Sequence, residues 1–181
     1  MGKAKVFEHL QELARTTSLT WTIISNNAFL DWGLRNAFLG IDIQRKSIEY
    51  FNDGDVTIPY TTLASVGDAV ANALRKSEET KNRICYICNA QTTQRELASR
   101  AQQALGREGW QKRDLDMGLL LQRGMSEIQA GKITFEVIRD IIRFSIATPG
   151  YTGSFERTDN ELLGVKLMDD HAIENLITQI A

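Results

Sequence analysis

Cysteine is scarce in this chain, with two among 181 residues, too few for the disulfide framework of a small secreted fold. Histidine is equally scarce, and neither His9 nor His171 stands at zinc-ligand spacing from the cysteines. Positive charge is not in excess: 21 Lys and Arg face 23 Asp and Glu, and the basic residues are scattered. The net charge of −2 therefore lacks the footprint of a nucleic-acid binder. No apolar run approaches membrane-spanning length, and the N-terminus lacks the apolar core of a signal peptide. Met1-Gly2 opens like a myristoylation signal, but Val6 stands where Ser or Thr is required. No Asn-x-Ser/Thr acceptor and no recognisable Ser-His-Asp arrangement occurs. With 43% hydrophobic and 24% charged residues, the expectation is a soluble, cytoplasmic α/β protein with a sizeable core.

The two cysteines form a Cys-x-x-Cys, in Arg83-Ile84-Cys85-Tyr86-Ile87-Cys88-Asn89. A redox pair of this spacing sits at a helix N-terminus, where the thiol pKa is lowered. Here the surrounding run is rich in Ile and Tyr and reads as a buried strand. Residues three apart on a strand point to opposite faces, which suits neither a disulfide nor one shared metal. Cys85 and Cys88 are expected to be small core residues, with no metal bound.

Helical and strand periods alternate along the chain. From Ala4 to Thr16, Val6, Leu10, Leu13 and Ala14 fall on one helical face. Leu19 to Ser25 follows as a strand whose near-continuous apolar character suits cover on both faces. Lys46–Phe51 and Val56–Tyr60 flank Asn52-Asp53-Gly54-Asp55, a hairpin turn signal. Ser65–Arg75 reads as a helix with Val66, Ala69, Val70, Ala73 and Leu74 inward, and Arg83–Cys88 as the next strand. Thr93-Gln94-Arg95-Glu96 is a capping box, with Thr93 as cap and Glu96 reciprocating, and Gly106 stops the helix it opens. Gly106-Arg107-Glu108-Gly109 thus reads as a C-cap loop. Met117–Gln129 and Thr134–Ile146 form a helical pair broken at Gly131-Lys132, whose Met and Ile stripes are core or a lid over a pocket. Pro149–Ser154 is a loop. Asp159-Asn160-Glu161 reads as a capped turn, and Asp169 or Asp170 caps a last helix that carries Ala172, Ile173, Leu176, Ile177 and Ile180 on its apolar face.

Four segments in this order resemble the C-terminal portion of the NmrA-like proteins and their isoflavone-reductase-like relatives, atypical short-chain dehydrogenases. They are Gly2-Lys3 leading into Leu19–Ile24 and Asn26–Gly33, then Thr61–Ala71, Gln94–Ala98 and Asp159–Val165. The resemblance implies an α/β fold: part of a Rossmann-like, doubly wound sheet with the smaller α/β substrate-side region of the NmrA-like fold. It implies one domain over 1–181, with Rossmann elements in 1–33 and 61–90 and the substrate-side region in 34–60 and 91–181. The opening order of lysine, amphipathic helix, strand and polar-aromatic loop belongs to the middle of such a fold. Nothing resembling a nucleotide-binding first half precedes it, so one side of an active site is expected without the other.

The resemblance also implies site residues. Lys3 falls where the isoflavone-reductase-like branch has a lysine beside the nicotinamide, serving as acid/base or ribose ligand, with Lys5 next if the register shifts by two. Lysine suits proton transfer because burial or a nearby cation brings its pKa toward neutrality. The loop after the first strand passes the nicotinamide in relatives, at the strand ends where open α/β sheets bind ligands. Asn27, or its neighbour Asn26, is placed to hydrogen-bond the carboxamide. Asn27 and Phe29 are therefore the cofactor-side candidates, and Trp32, with Phe29, walls the substrate. The implied cofactor is NADP. Yet no Gly-x-Gly-x-x-Gly or Gly-x-x-Gly-x-x-Gly turn occurs to bring the backbone to a pyrophosphate.

The leading expectation is the substrate-side part of an NAD(P)-dependent oxidoreductase, which in the parent chemistry transfers hydride from NADPH to a small aromatic or enone metabolite. Cofactor affinity and activity are expected to be weak in this chain. The alternatives are a non-catalytic, NmrA-like regulatory or protein-interaction module, or a truncated gene product. Retention of Lys3 implies descent from the catalytic branch. A strand Leu19–Ser25 with a bare edge would invite a second copy or a protein partner.

Overall fold

In the computed structural model, which describes residues 2–151 and 154–181, helices and strands alternate through an α/β fold. Met1, and Thr152 and Gly153 of the expected Pro149–Ser154 loop, lie outside the described residues.

Helix α1 (Gly2–Thr16) leads into β1 (Thr22–Ser25). No α1 side chain is fully buried. Leu10, Leu13 and Ala14 are half-buried as expected, and Phe7 meets Trp21 edge-on at 5.3 Å, but Val6 faces solvent. β1 is shorter than the Leu19–Ser25 expectation and is half-buried along its length rather than covered on both faces. Its apolar content overstates its cover because Leu19 lies outside the strand and is exposed.

β1 runs parallel to β6 (Arg83–Tyr86), Thr22 opposite Arg83 and Ser25 opposite Tyr86. The two strands then part. Their continuations are β2 (Ala28–Phe29) and β7 (Ala90–Thr93), and β5 (Thr57–Thr61) enters between them, parallel to β2 and antiparallel to β7. The buried Thr61 hydroxyl closes the fork by donating to Asn26 O at 2.8 Å and lying 3.1 Å from Ile87 O. A third sheet holds β3 (Ile41–Asp42), β4 (Ser47–Phe51) and β8 (Gln111–Leu115), with β4 antiparallel to β3 and parallel to β8.

The expected hairpin at Asn52–Asp55 does not form. β4 has both edges taken by β3 and β8, and β5 has both taken by β2 and β7, so the strands flanking the turn cannot pair with each other. Asn52, Asp53 and Gly54 all adopt left-handed backbone (φ 46°, 67° and 74°) and build a corner that passes the chain between sheets. Asn, Asp and Gly tolerate that region best.

Helix α2 (Leu30–Arg35) follows β2, and α3 (Leu63–Arg75) follows β5, capped by Thr62, which accepts from Ser65 N. On α3 the buried residues are Ala69 and Ala73, whereas Val70 and Leu74 are exposed, against expectation. Small side chains let this face approach α8 (Asn160–Leu163), tied by Asn72 Nδ2 to Leu163 O at 2.9 Å. Short α4 (Ser77–Thr80) leads to β6.

Helix α5 (Gln94–Leu105) begins with the expected capping box, both of its reciprocal hydrogen bonds present, and ends at Gly106. Its buried Gln94 accepts from Phe51 N at 2.9 Å and donates to Leu39 O and Glu49 O, pinning α5 to β4. The pair α6 (Met117–Gln129) and α7 (Phe135–Ala147) lies within one residue of its expected bounds, capped by Asp116 and Thr134. α9 (Asp170–Ile180) is capped by Asp169. The main core joins Leu30, Leu34, Ile41, Ile48, Tyr60, Leu97 and Ile177, and a second joins Ala69, Ala73, Cys85, Ile87 and Leu163. Among the described residues no helix is long and apolar enough to cross a membrane.

Candidate functional site

The fork between β1 and β6 places the site. Asn27 turns the chain from β1 into β2 in a left-handed conformation (φ 52°), and Phe29 and Trp32 follow at the end of β2 and the start of α2. Asp31 does not face the cavity. Its carboxylate accepts from Leu63 N at 3.1 and 3.3 Å and from Trp32 N at 2.9 Å, satisfying donors at the starts of α2 and α3. Asn26 is held at the fork by its carbonyl.

Lys3, Asn27, Phe29 and Trp32 all line one cavity of about 460 Å³. Lys3 reaches it from the first turn of α1 and makes no hydrogen bond or ion pair with another described residue. It is the one titratable side chain in a lining otherwise completed by Ala28, Phe38, Leu63, Phe135, Ile142 and Ile146. In the α6–α7 pair Met117, Val137 and Ala147 are buried, Phe135, Ile142 and Ile146 of α7 wall the cavity, and Met125 and Ile138 of the expected stripes are exposed. An amine over an apolar chamber can donate or accept one proton beside a flat organic molecule.

A second cavity, of about 500 Å³, shares Trp32, Phe38 and Phe135 with the first. Its wall holds Arg143, a residue the sequence pattern did not single out, although a cation inside the apolar stretch Ile141-Ile142-Arg143-Phe144 is a signal. Arg143 is 5% exposed. It donates to Phe38 O at 2.9 Å and Ala37 O at 2.7 Å, and its Nη1 lies 3.5 Å from Glu49 Oε2. Burial, and then the neighbouring Arg139, lower its pKa from the ordinary arginine value, while Glu49 and Asp140 act in the other direction.

A dinucleotide pyrophosphate asks for a glycine turn between a strand and a helix N-terminus. The strand-to-helix junctions of the described residues are Phe29-Leu30, Thr61-Thr62-Leu63, Thr93-Gln94 and Leu115-Asp116-Met117, and none contains glycine. The described residues supply no pyrophosphate cradle. Gly106 and Gly109 lie between α5 and β8, after a helix.

The remaining motifs are structural. Cys85 and Cys88 are buried free thiols, and burial raises the pKa of both. Asp159 pairs with Arg83 and accepts from Tyr86 N, while buried Asn160 bonds both backbone groups of Cys88. His9 and His171 are exposed.

No protein-family model matches the chain. Oxidoreductase aprR of Aspergillus flavus is 26% identical over 179 residues, covering 97% of this chain and 59% of that protein. The crystal structure of isoflavone reductase superposes with a TM-score of 0.66 at 18% identity, over 95% of this chain and 58% of the other. The described residues share the α/β fold of the superposed part of isoflavone reductase. The triphenylmethane reductase of Citrobacter sp., solved in complex with NADP(H), superposes with a TM-score of 0.64 at 16% identity, over 94% of this chain and 56% of the other. The chain thus spans little more than half the length of each of these relatives.

Proposed function

We propose that this chain is the substrate-side part of an NADP(H)-dependent oxidoreductase that acts on a small aromatic or enone metabolite. The observation that carries the reading is the convergence of Lys3, Asn27, Phe29 and Trp32 on one apolar cavity beside the fork in the sheet. In this reading Lys3 Nζ gives or takes the proton at the substrate's carbonyl oxygen. Asn27 and Phe29 orient the nicotinamide end, and Trp32 stacks against the substrate. The cofactor, when bound, supplies the hydride. Phe135, Ile142 and Ile146 give the cavity an apolar wall against the substrate. Because the described residues lack a pyrophosphate cradle, the chain's own affinity for the dinucleotide is weak.

The test is a pair of titrations followed by tryptophan fluorescence. 4-Phenyl-3-buten-2-one, a neutral aromatic enone, is expected to quench saturably, and the quenching is expected to weaken in Trp32→Leu. NADPH is expected to show no saturable binding in the micromolar range. An enone that does not bind overturns the substrate reading, and micromolar NADPH binding overturns the claim of lost affinity.

A further inference from the structure

The second cavity narrows the substrate class, an inference that rests on the reading just given. Trp32, Phe38 and Phe135 belong to the walls of both cavities, so the apolar chamber and its neighbour meet at an aromatic partition. The two compartments differ in chemistry. The first holds Lys3 as its one charge; the second is walled by Arg45, Arg113, Arg139 and Arg143.

Those arginines have more donors than the carboxylates beside them accept from. Asp42 lies 3.6 Å from Arg45, Asp140 2.9 Å from Arg139, and Glu49 is shared between Arg113 and Arg143. Glu136 also acts electrostatically on Arg139, so each guanidinium has a carboxylate near it and what distinguishes this wall is its unused donors. Arg143 spends its donors on Phe38 O, Ala37 O and Glu49. Arg139 commits its Nε and Arg113 one Nη, which leaves the Nη groups of Arg139 and the Nε and second Nη of Arg113 without a partner among the described residues. Planar guanidinium forks with spare donors match a carboxylate bidentately.

We infer that the two cavities form one bipartite site for an amphiphilic organic monoanion, its apolar or aromatic body in the chamber over Lys3 and its carboxylate on Arg113 and Arg139 beyond the partition formed by Trp32, Phe38 and Phe135. The aromatic partition seats the linker between the two ends, and the carboxylate fixes which way round the molecule lies relative to Lys3.

The probes are 6-phenylhexanoate and its neutral isostere 6-phenylhexanamide, titrated calorimetrically without cofactor. The carboxylate is expected to bind about tenfold more tightly than the amide. In R113Q/R139Q the two should come within about twofold of each other, because the charge-assisted bonds that favour the carboxylate are removed. R113Q alone removes a side chain that is two-thirds exposed, at 68%, and should retain the fold while losing part of the preference. Equal affinities in the native protein, a preference that survives in both variants, or no saturable carboxylate binding overturns the inference. A chain that binds the neutral enone but shows no carboxylate preference refutes this inference alone. One that binds neither ligand refutes the substrate reading as well.

Discussion

Arg143 grips Phe38 twice: its Nε donates to the Phe38 carbonyl oxygen at 2.9 Å, and its guanidinium lies 5.8 Å from the centre of the Phe38 ring. The same side chain approaches the Phe51 ring at 5.1 Å, so α7 is held to both the loop after α2 and the end of β4. Arg143→Met would leave Glu49 with Arg113 as its remaining partner and the Phe38 carbonyl oxygen without its donor, while Ala37 O keeps its bond from Gly40 N. The expected cost is about 3 kcal/mol or more, read as a lower urea midpoint with unchanged slope. Arg143→Lys keeps the charge but cannot reproduce the fork, and should recover only part of the loss. Full stability in the methionine variant would show that the cation does not organise these walls.

The capping box gives a pH-dependent prediction. Hydrogen bonds from the Thr92 hydroxyl, and then from the Thr93 backbone and hydroxyl, hold the Glu96 carboxyl below its ordinary pKa. A depressed carboxylate pKa stabilises the fold above the unfolded-state value, and the benefit fades as pH falls through the folded one. The stability gap between the native protein and Glu96→Gln should therefore be present at neutral pH and close on acidification. Thr93→Ala should cost about 1 kcal/mol at neutral pH. Equilibrium unfolding at several pH values measures both.

Cys85 and Cys88 should be inert in the folded protein. Both are buried, and burial raises their pKa, so the thiolate fraction at neutral pH is small. Iodoacetamide is expected to label neither until denaturant is added, after which both react. Rapid labelling of the native chain, or an intramolecular disulfide by mass spectrometry, would contradict this placement.

Lys3→Met separates chemistry from structure. Lys3 is exposed and makes no bond to another described residue, so stability should stay within about 0.5 kcal/mol of the native value. Binding of the neutral enone should persist. In an assay of enone reduction with NADPH in large excess, the variant should lose about 10²–10⁴-fold in turnover. Undiminished turnover would remove Lys3 from the proposed role.

Elements whose ends are marked chemically were legible from the residues alone. Thr93 and Glu96, Gly106, and Asp169 carry capping signals that depend only on neighbours a few residues away, and they mark the observed helix ends. The convergence of Lys3, Asn27, Phe29 and Trp32 followed from resemblance, since spacing alone does not bring residue 3 to residue 32. Strand β8 was not legible. Its sequence Gln111-Lys112-Arg113-Asp114-Leu115 is exposed and charged, without the alternation that marks a half-buried strand. The hairpin expectation failed because turn residues report local backbone, while pairing depends on whether a strand's edges are already occupied. Arg143 escaped for a related reason: its partners Ala37, Phe38 and Glu49 lie far away along the chain.

The strand pairing also constrains how the protein is made. Thr22–Ser25 pairs with Arg83–Tyr86, and Ser47–Phe51 pairs with Gln111–Leu115. Neither β1 nor the β8-facing edge of β4 finds its neighbour until a long further stretch of chain has been synthesised. Such non-local parallel pairings fold slowly and expose unsatisfied backbone while they wait. During translation, β1 and β4 emerge as strands looking for a template. Slowing elongation after residue 51 should lengthen that interval and increase the fraction lost to aggregation, even with the native sequence unchanged.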